Sequence, residues 1–342
     1  MESRHDRAVS LSAECTPVLA GQRRPEIVAA VVQVGSVLFE TGKTLEKAQA
    51  LIREAASLKA ELIVLPEALL GGYPKGLDFG APVGSRSPAG REAFRRYWAA
   101  AIDVPGHETE TLGALSSDLG CHIVTGAVER NGGTLFCSAL FFSPEGKLTG
   151  VHRKIMPTAA ERLIWGFGDG STMPVIPTSF GPLGAAICWE NYMPLFRTAM
   201  YAKGVELWCA PTVDDRDVWQ MTMRHVALEG RCFLLSACQF MLRSDCPADV
   251  HPIQGDEPST VLIDGGSVIV SPLGELLAGP LRGTEGVLVA RLDLNDIPRA
   301  RFDFDPVGHY ARPDLFSLVV NDRPQQVVKE GSVTPGRLNG AS

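Results

Sequence analysis

The chain has 342 residues, 45% of them apolar, enough to bury a full core as one large α/β domain or two small ones. Its net charge is −7 and its 32 Lys and Arg are scattered, so neither nucleic acid nor a membrane surface is an expected partner. No apolar run approaches the ~20 residues of a membrane span.

Residues 1–25 contain no apolar signal core and read as a flexible lead. Arg4, Arg7, Arg23 and Arg24 suggest a transit peptide, but Glu2, Asp6 and Glu14 argue against one, and a cytoplasmic location is expected. Eight cysteines carry no C-x-x-C pair and no ligand spacing with histidine. Buried free thiols in a reducing compartment are expected for most of them, with no metal and no cofactor implied.

Ile27 to Val34 is a continuous apolar strand, and Thr44 to Leu58 repeats apolar residues at the helical period. Leu62 to Leu65 is a second buried strand, followed at once by Glu67 and a Gly- and Pro-rich loop from Gly71 to Ser87. Ala89–Ala100 and Glu108–Leu119 predict helices, and Ile123–Val128 and Leu135–Phe142 predict strands. A tight turn at Ser143–Gly146 then leads into a strand that ends at Lys154.

Val175–Thr178 and Leu183–Ile187 form the next strand pair, closed by Cys188-Trp189-Glu190-Asn191. Pro194 opens a helix to Lys203, with proline in its favoured first turn. Leu207–Ala210, the helix Asp217–Glu229 and Phe233–Cys238 repeat the strand–helix–strand alternation. Residues 243–260 read as a polar surface loop, Ser267–Val270 and Val287–Leu292 as strands, and 323–342 as a flexible tail. Alternation without a linker predicts a single α/β domain. Glycine-rich nucleotide motifs and the G-x-S-x-G elbow are absent from the sequence.

Glu67, Lys154 and Cys188 each stand where a strand runs out, the position at which open α/β sheets bind ligands. A thiol acts as a nucleophile when one group takes its proton and another bears the charge that develops, and this set supplies both. Singly, each residue has a plainer reading. A Glu after a strand is commonly solvated, Lys154 beside Arg153 suits a surface cation, and a cysteine in apolar text is usually inert. The rigid prolines at 66 and 157 and the sharp exit at Trp189-Glu190-Asn191 favour the concerted reading.

With these segments in view, the sequence resembles the nitrilase superfamily, and within it the nitrilases proper. The resemblance rests on Pro66-Glu67-Ala68, His152-Arg153-Lys154-Ile155-Met156-Pro157-Thr158 and Ile187-Cys188-Trp189-Glu190-Asn191. It extends through Gly71-Gly72-Tyr73-Pro74-Lys75-Gly76, Glu161-Arg162-Leu163-Ile164-Trp165-Gly166 and Gly308-His309-Tyr310-Ala311-Arg312-Pro313-Asp314, covering roughly residues 26–322 as one carbon-nitrogen hydrolase domain. It implies a four-layer αββα sandwich, a Glu67–Lys154–Cys188 triad, hydrolysis of a nitrile to acid and ammonia, and dimers that assemble into spirals or filaments. It also implies that Glu161 supports the lysine, against the alternative of a loop Glu paired with Arg162. Cys-Trp-Glu-Asn with Met193-Pro194-Leu195 resembles the arylacetonitrile and cyanoalanine branch. Tyr73 and Trp189 are candidate pocket walls, with core filling as the alternative for each, and the Trp189 N–H is a candidate anion donor. An amidase or N-carbamoyl hydrolase of the same superfamily is the nearest competing reading. A non-catalytic binding module is a more distant one.

Overall fold

The computed structural model describes residues 26–325 and Val328. The expected lead over 1–25 lies outside the described residues, as does the tail expected over 323–342 except for 323–325 and Val328. Six strands come first in the chain: β1 (Glu26–Gln33), β2 (Leu62–Val64), β3 (Ile102–Asp103), β4 (His122–Asn131), β5 (Thr134–Phe142) and β6 (Leu148–Arg153). A second group follows: β7 (Val175–Ile176), β8 (Leu183–Ala185), β9 (Leu207–Thr212), β10 (Phe233–Cys238), β11 (Phe240–Leu242), β12 (Val261–Val270) and β13 (Leu276–Arg282). Finally β14 (Gly286–Asp293) returns to the first group and pairs antiparallel with β1 along its whole length, Glu26 opposite Asp293 and Gln33 opposite Gly286.

The first sheet runs β14-β1-β2-β4-β5-β6 with β3 beside β4, and the second runs β11-β12-β10-β9-β8-β7 with β13 beside β12. Side-chain alternation decides what each face meets. On β1, Ile27, Ala29 and Val31 face the second sheet, where they pack with Leu207, Leu235 and Ile269. Ala30 and Val32 face outward onto Leu45, Ala48 and Ile52 of α1 (Thr41–Ser57), with Leu112 and Leu115 of α3 (His107–Leu119) in the same layer. Between them in the chain lies α2 (Pro88–Ala100), whose Tyr97 reaches the inter-sheet core. Trp208 and Leu234 on the far side of the second sheet are covered by Phe196 of α4 (Pro194–Ala202) and Trp219 and Met223 of α5 (Asp217–Gly230). The result is the expected αββα sandwich. Its central strands are buried on both faces, which is why β9 and β10 are mostly apolar, broken only by Thr212 and Ser236.

Three differences from the sequence reading have physical causes. β13 was not expected, because no residue in it is buried and it carries Pro280, so no period-two signal exists. The short α6 (Asp296–Ala300) and the two- and three-residue strands β3 and β11 lie below the length at which periodicity can be read. The stretch 243–260 is not wholly a surface loop: Arg243, Cys246 and Val250 are buried, and the Asp245 carbonyl accepts from the Leu38 N–H at 2.9 Å.

Candidate active site

Glu67 follows β2 in a turn that the neighbouring strand makes possible. Gly126 on β4 donates its N–H to the Pro66 carbonyl at 3.0 Å. A Cβ at that glycine would lie 2.3 Å from the Pro66 oxygen and 2.6 Å from the Glu67 Cα. Any side chain there would push the carboxylate away. From the second sheet, the Gln239 amide donates to the Glu67 carbonyl at 2.8 Å, while its own oxygen accepts from the Ser36 N–H and hydroxyl, each at 3.0 Å.

Lys154 leaves β6 with its N–H bonded to the Cys137 carbonyl at 2.7 Å. Its ammonium, fully buried, donates to Glu67 Oε1 at 2.6 Å and to Glu161 Oε2 at 2.7 Å. It also stands 5.5 Å from the centroid of the buried Trp165 ring. Burial works against the ammonium, but Glu67, Cys188 and Glu161 outweigh it and hold Lys154 well above the ordinary lysine value. Glu161 is itself fixed on both oxygens. Oε2 also accepts the Thr158 N–H at 2.6 Å, and Oε1 accepts the Tyr73 hydroxyl at 2.9 Å.

Burial raises Glu67, Lys154 draws it down and Glu161 pushes it up again, leaving its pKa at about 7. Its Oε1 takes the Lys154 ammonium and the Cys137 thiol, the latter at 3.7 Å. Its Oε2 is buried and has no partner of hydrogen-bonding geometry among the described residues, while the Cys188 thiol is close enough to lower the Glu67 pKa.

Cys188 opens a 3-10 turn, Cys188–Tyr192, with φ of +49°, a left-handed conformation that costs a non-glycine residue of order 1–3 kcal/mol unless its surroundings impose it. The surroundings do. The Asn191 amide donates to the Ala186 and Cys188 carbonyls at 3.0 and 2.8 Å, and its oxygen is held by the Trp208 indole at 2.9 Å. Glu190 accepts the Ile187 N–H at 2.6 Å and the Ile155 N–H at 2.7 Å. The thiol accepts the Thr212 hydroxyl at 3.3 Å, and burial followed by the Glu67 charge pushes it well above the ordinary cysteine value.

Glu67, Lys154, Glu161, Cys188 and Tyr73 therefore meet at one place between the two sheets. Neither Glu67 nor Lys154 is solvated, so the plain readings of these two residues fall away. Trp189 is placed differently. It is 40% exposed, and its indole donates to Asp214 Oδ2 at 2.8 Å under the Arg216 guanidinium at 4.9 Å. Cys137, Thr212, Gln239 and His152 also belong to the cluster and were not singled out in the sequence. Thr212 had a usable signal, a polar residue at the end of an otherwise buried strand, whereas His152 is the one buried residue of the half-exposed β6. Gln239 had none, being 172 positions from its partner. Among the described residues no group of three or more His, Cys, Asp or Glu is placed to hold a metal ion.

The carbon-nitrogen hydrolase family model matches residues 28–302. A nitrilase of Bradyrhizobium diazoefficiens is 56% identical over 309 residues, 90% of this chain and 96% of that protein. The chain belongs to the carbon-nitrogen hydrolases and, within them, to the nitrilases. An aliphatic nitrilase of Sinorhizobium fredii is 57% identical over 300 residues, covering 88% of this nitrilase and 97% of its relative. A bifunctional nitrilase/nitrile hydratase of Lupinus angustifolius is 54% identical over 309 residues, 89% and 88% of the two chains. The fold is shared with the NitFhit protein of C. elegans, at a TM-score of 0.68 and 18% identity over 90% of this chain and 70% of that one. It is shared too with a carbon-nitrogen hydrolase of Helicobacter pylori, at a TM-score of 0.65 and 24% identity over 85% and 97%. No helix among the described residues is long and apolar enough to cross a membrane.

Proposed function

We propose that this nitrilase converts an organic nitrile to its carboxylic acid and ammonia through a covalent bond to Cys188. The observation that carries the mechanism is a fully buried lysine clamped by two carboxylates beside a thiol on a left-handed turn. Cys188 Sγ attacks the nitrile carbon as Glu67 takes the thiol proton through its unpartnered Oε2. A base with a pKa of about 7 is matched to neutral pH, whereas the raised thiol holds its proton until attack. The negative charge passes to the nitrile nitrogen, where Lys154 receives it, and the nitrogen takes the proton to give a thioimidate. Water adds to that carbon with Glu67 again as base, Glu161 fixing the lysine. Protonation of the nitrogen expels ammonia and leaves a thioester, which a second water cleaves to the acid and the free thiol. The Trp189 N–H at the start of the turn is assigned a part in binding the anion.

Expulsion of the thiol in place of ammonia from the same tetrahedral intermediate yields the amide. The lupin relative, whose name carries both activities, favours this as a minor product. Ammonia release and product mass over a nitrile panel, with Cys188→Ala in parallel, test the reading. Ammonia formation by the alanine variant would overturn it.

For the substrate we favour an aryl or polar group near the cyano carbon, because Tyr73 and Trp165 meet edge to face at 5.9 Å beside the lysine. Comparing kcat/KM for phenylacetonitrile, cyanoalanine, benzonitrile and fumaronitrile decides the matter, and a clear preference for fumaronitrile would refute it. We further place the enzyme in the cytoplasm, where its buried free thiols stay reduced, and as dimers extending into a spiral or filament. Apolar side chains left open at Met221, Leu273, Phe302 and Phe316 support assembly, and an active monomer in light scattering would contradict it.

A further inference from the structure

The lysine and the cysteine come from different sheets, β6 in the first and β8 in the second, so something must hold them in register. One carboxylate touches both backbones. Glu190 accepts the N–H of Ile155, the residue after Lys154, and the N–H of Ile187, the residue before Cys188. Its Oε2 also meets Nε2 of His152 at 2.8 Å, and both side chains are buried.

The other ring nitrogen of His152 lies 2.5 Å from the Thr172 carbonyl oxygen. A carbonyl only accepts, so Nδ1 carries a proton. On the opposite side, Glu190 Oε1 already accepts the Ile155 N–H and Oε2 the Ile187 N–H, so both oxygens are placed as acceptors. An ionised carboxylate also only accepts, so Nε2 carries a proton as well. We infer that His152 is a positioning residue, a doubly protonated imidazolium that with Glu190 pins the lysine-bearing strand of one sheet to the cysteine-bearing turn of the other.

Burial opposes the charge on His152, but Glu190 and the Thr172 carbonyl overcome it and the pKa is raised. The groups facing the ring are Glu190, the Phe196 ring of α4 at 5.6 Å, and more remotely Lys203, a like charge whose ammonium is drawn off to the Met173 carbonyl at 2.7 Å. A neutral imidazole would release one of its two acceptors, and a glutamine at 190 would turn a donor toward a backbone N–H. Either change loosens the Lys154-to-Cys188 spacing without touching either residue.

The inference rests on the Cys188 mechanism, but its central claim is read without substrate. In protein labelled with ¹⁵N at histidine, the His152 ring, assigned by its contact with the Phe196 ring protons, is expected to show both nitrogens protonated from pH 6 to 9. A singly protonated ring at pH 7 would overturn the proposal, whatever the variants do. In turnover, His152→Gln and Glu190→Gln should each lower kcat about 100-fold while KM stays within about threefold, since misplacement of reacting groups acts on the chemical step. The double variant should be no worse than either single one, because the pair acts as a unit. Losses that multiply, or a folded His152→Gln with unchanged kcat, would count against it. Failure of the Cys188 mechanism would appear separately, as activity surviving in Cys188→Ala.

Discussion

Glu67→Gln should lower turnover by about 10²–10⁴-fold and, at alkaline pH, stabilise the protein. Gln keeps the shape of Glu67 and one acceptor for Lys154, but removes a carboxyl whose pKa the fold raises from 4.5 to about 7. A group raised in the folded state contributes stability that is fully present below its unfolded value and is lost as pH rises through the folded one. For Glu67 the window runs from about 4.5 to about 7, and the loss is about 3 kcal/mol at 1.36 kcal/mol per pH unit. The variant does not titrate there. Measured against wild type, it should therefore gain about 3 kcal/mol between pH 4.5 and pH 8, roughly 6 °C in melting temperature for a domain of this size. Over the same range wild-type kcat/KM should rise to a plateau with an inflection near 7 as the base ionises, while the variant falls by about 10²–10⁴-fold. Scanning calorimetry at matched scan rates across the pH series, with initial rates beside it, makes the comparison. Parallel melting-temperature curves for the two proteins would refute the claim that Glu67 is held against its own ionisation.

Glu161→Gln removes the charge that raises Glu67, so the acid limb of kcat/KM should move to lower pH; an unmoved inflection in the pH–rate profile would argue against that coupling. Lys154→Arg should lose nearly as much activity as Lys154→Ala, about 10²–10³-fold, because a planar guanidinium does not fit where one ammonium lies 2.6 and 2.7 Å from two carboxylates; single-turnover rates test it. Alkylation with mass mapping should label Cys188 ahead of Cys232 and Cys238 in the native enzyme, and alanine at 232 or 238 should leave turnover intact. Gly126→Ala should cost about 1–3 kcal/mol of stability in overpacking and displace Glu67 enough to lower kcat, which thermal melts and kinetics read together.

Much of this site was legible because its parts are local. Glu67, Lys154 and Cys188 each follow a strand, buried in the case of β2 and β8, and stand close to a proline or a polar turn, and a strand's end can be read from a few residues. What holds them was not legible. Gln239 reaches Glu67 from the other sheet, and Glu190 meets His152 across 38 positions, pairings that come from how two sheets stack and not from any period along the chain. Trp189 shows another limit. Adjacency to the nucleophile gave its place in the chain but not its partner, for its indole is held by Asp214, 25 positions away. β13 escaped notice because none of its residues is buried.

The pairing of β14 with β1 bears on how the chain reaches this state. The sequence Glu26-Ile27-Val28-Ala29-Ala30-Val31-Val32-Gln33 has no charge after its first residue, and one side of it is closed only by residues 286–293. A ribosome must therefore add some 250 residues before that edge is covered, and loop closure over such a span is slow. In the interval the strand is a flat apolar ribbon of the kind that recruits copies of itself. Once in place, β14 leaves a safer border, for it brings Arg291 and Asp293 to the rim of the sheet. The first sheet is therefore complete only once β14 has joined it, and a nascent chain stopped short of β14 is expected to aggregate before Glu67, Lys154 and Cys188 come together.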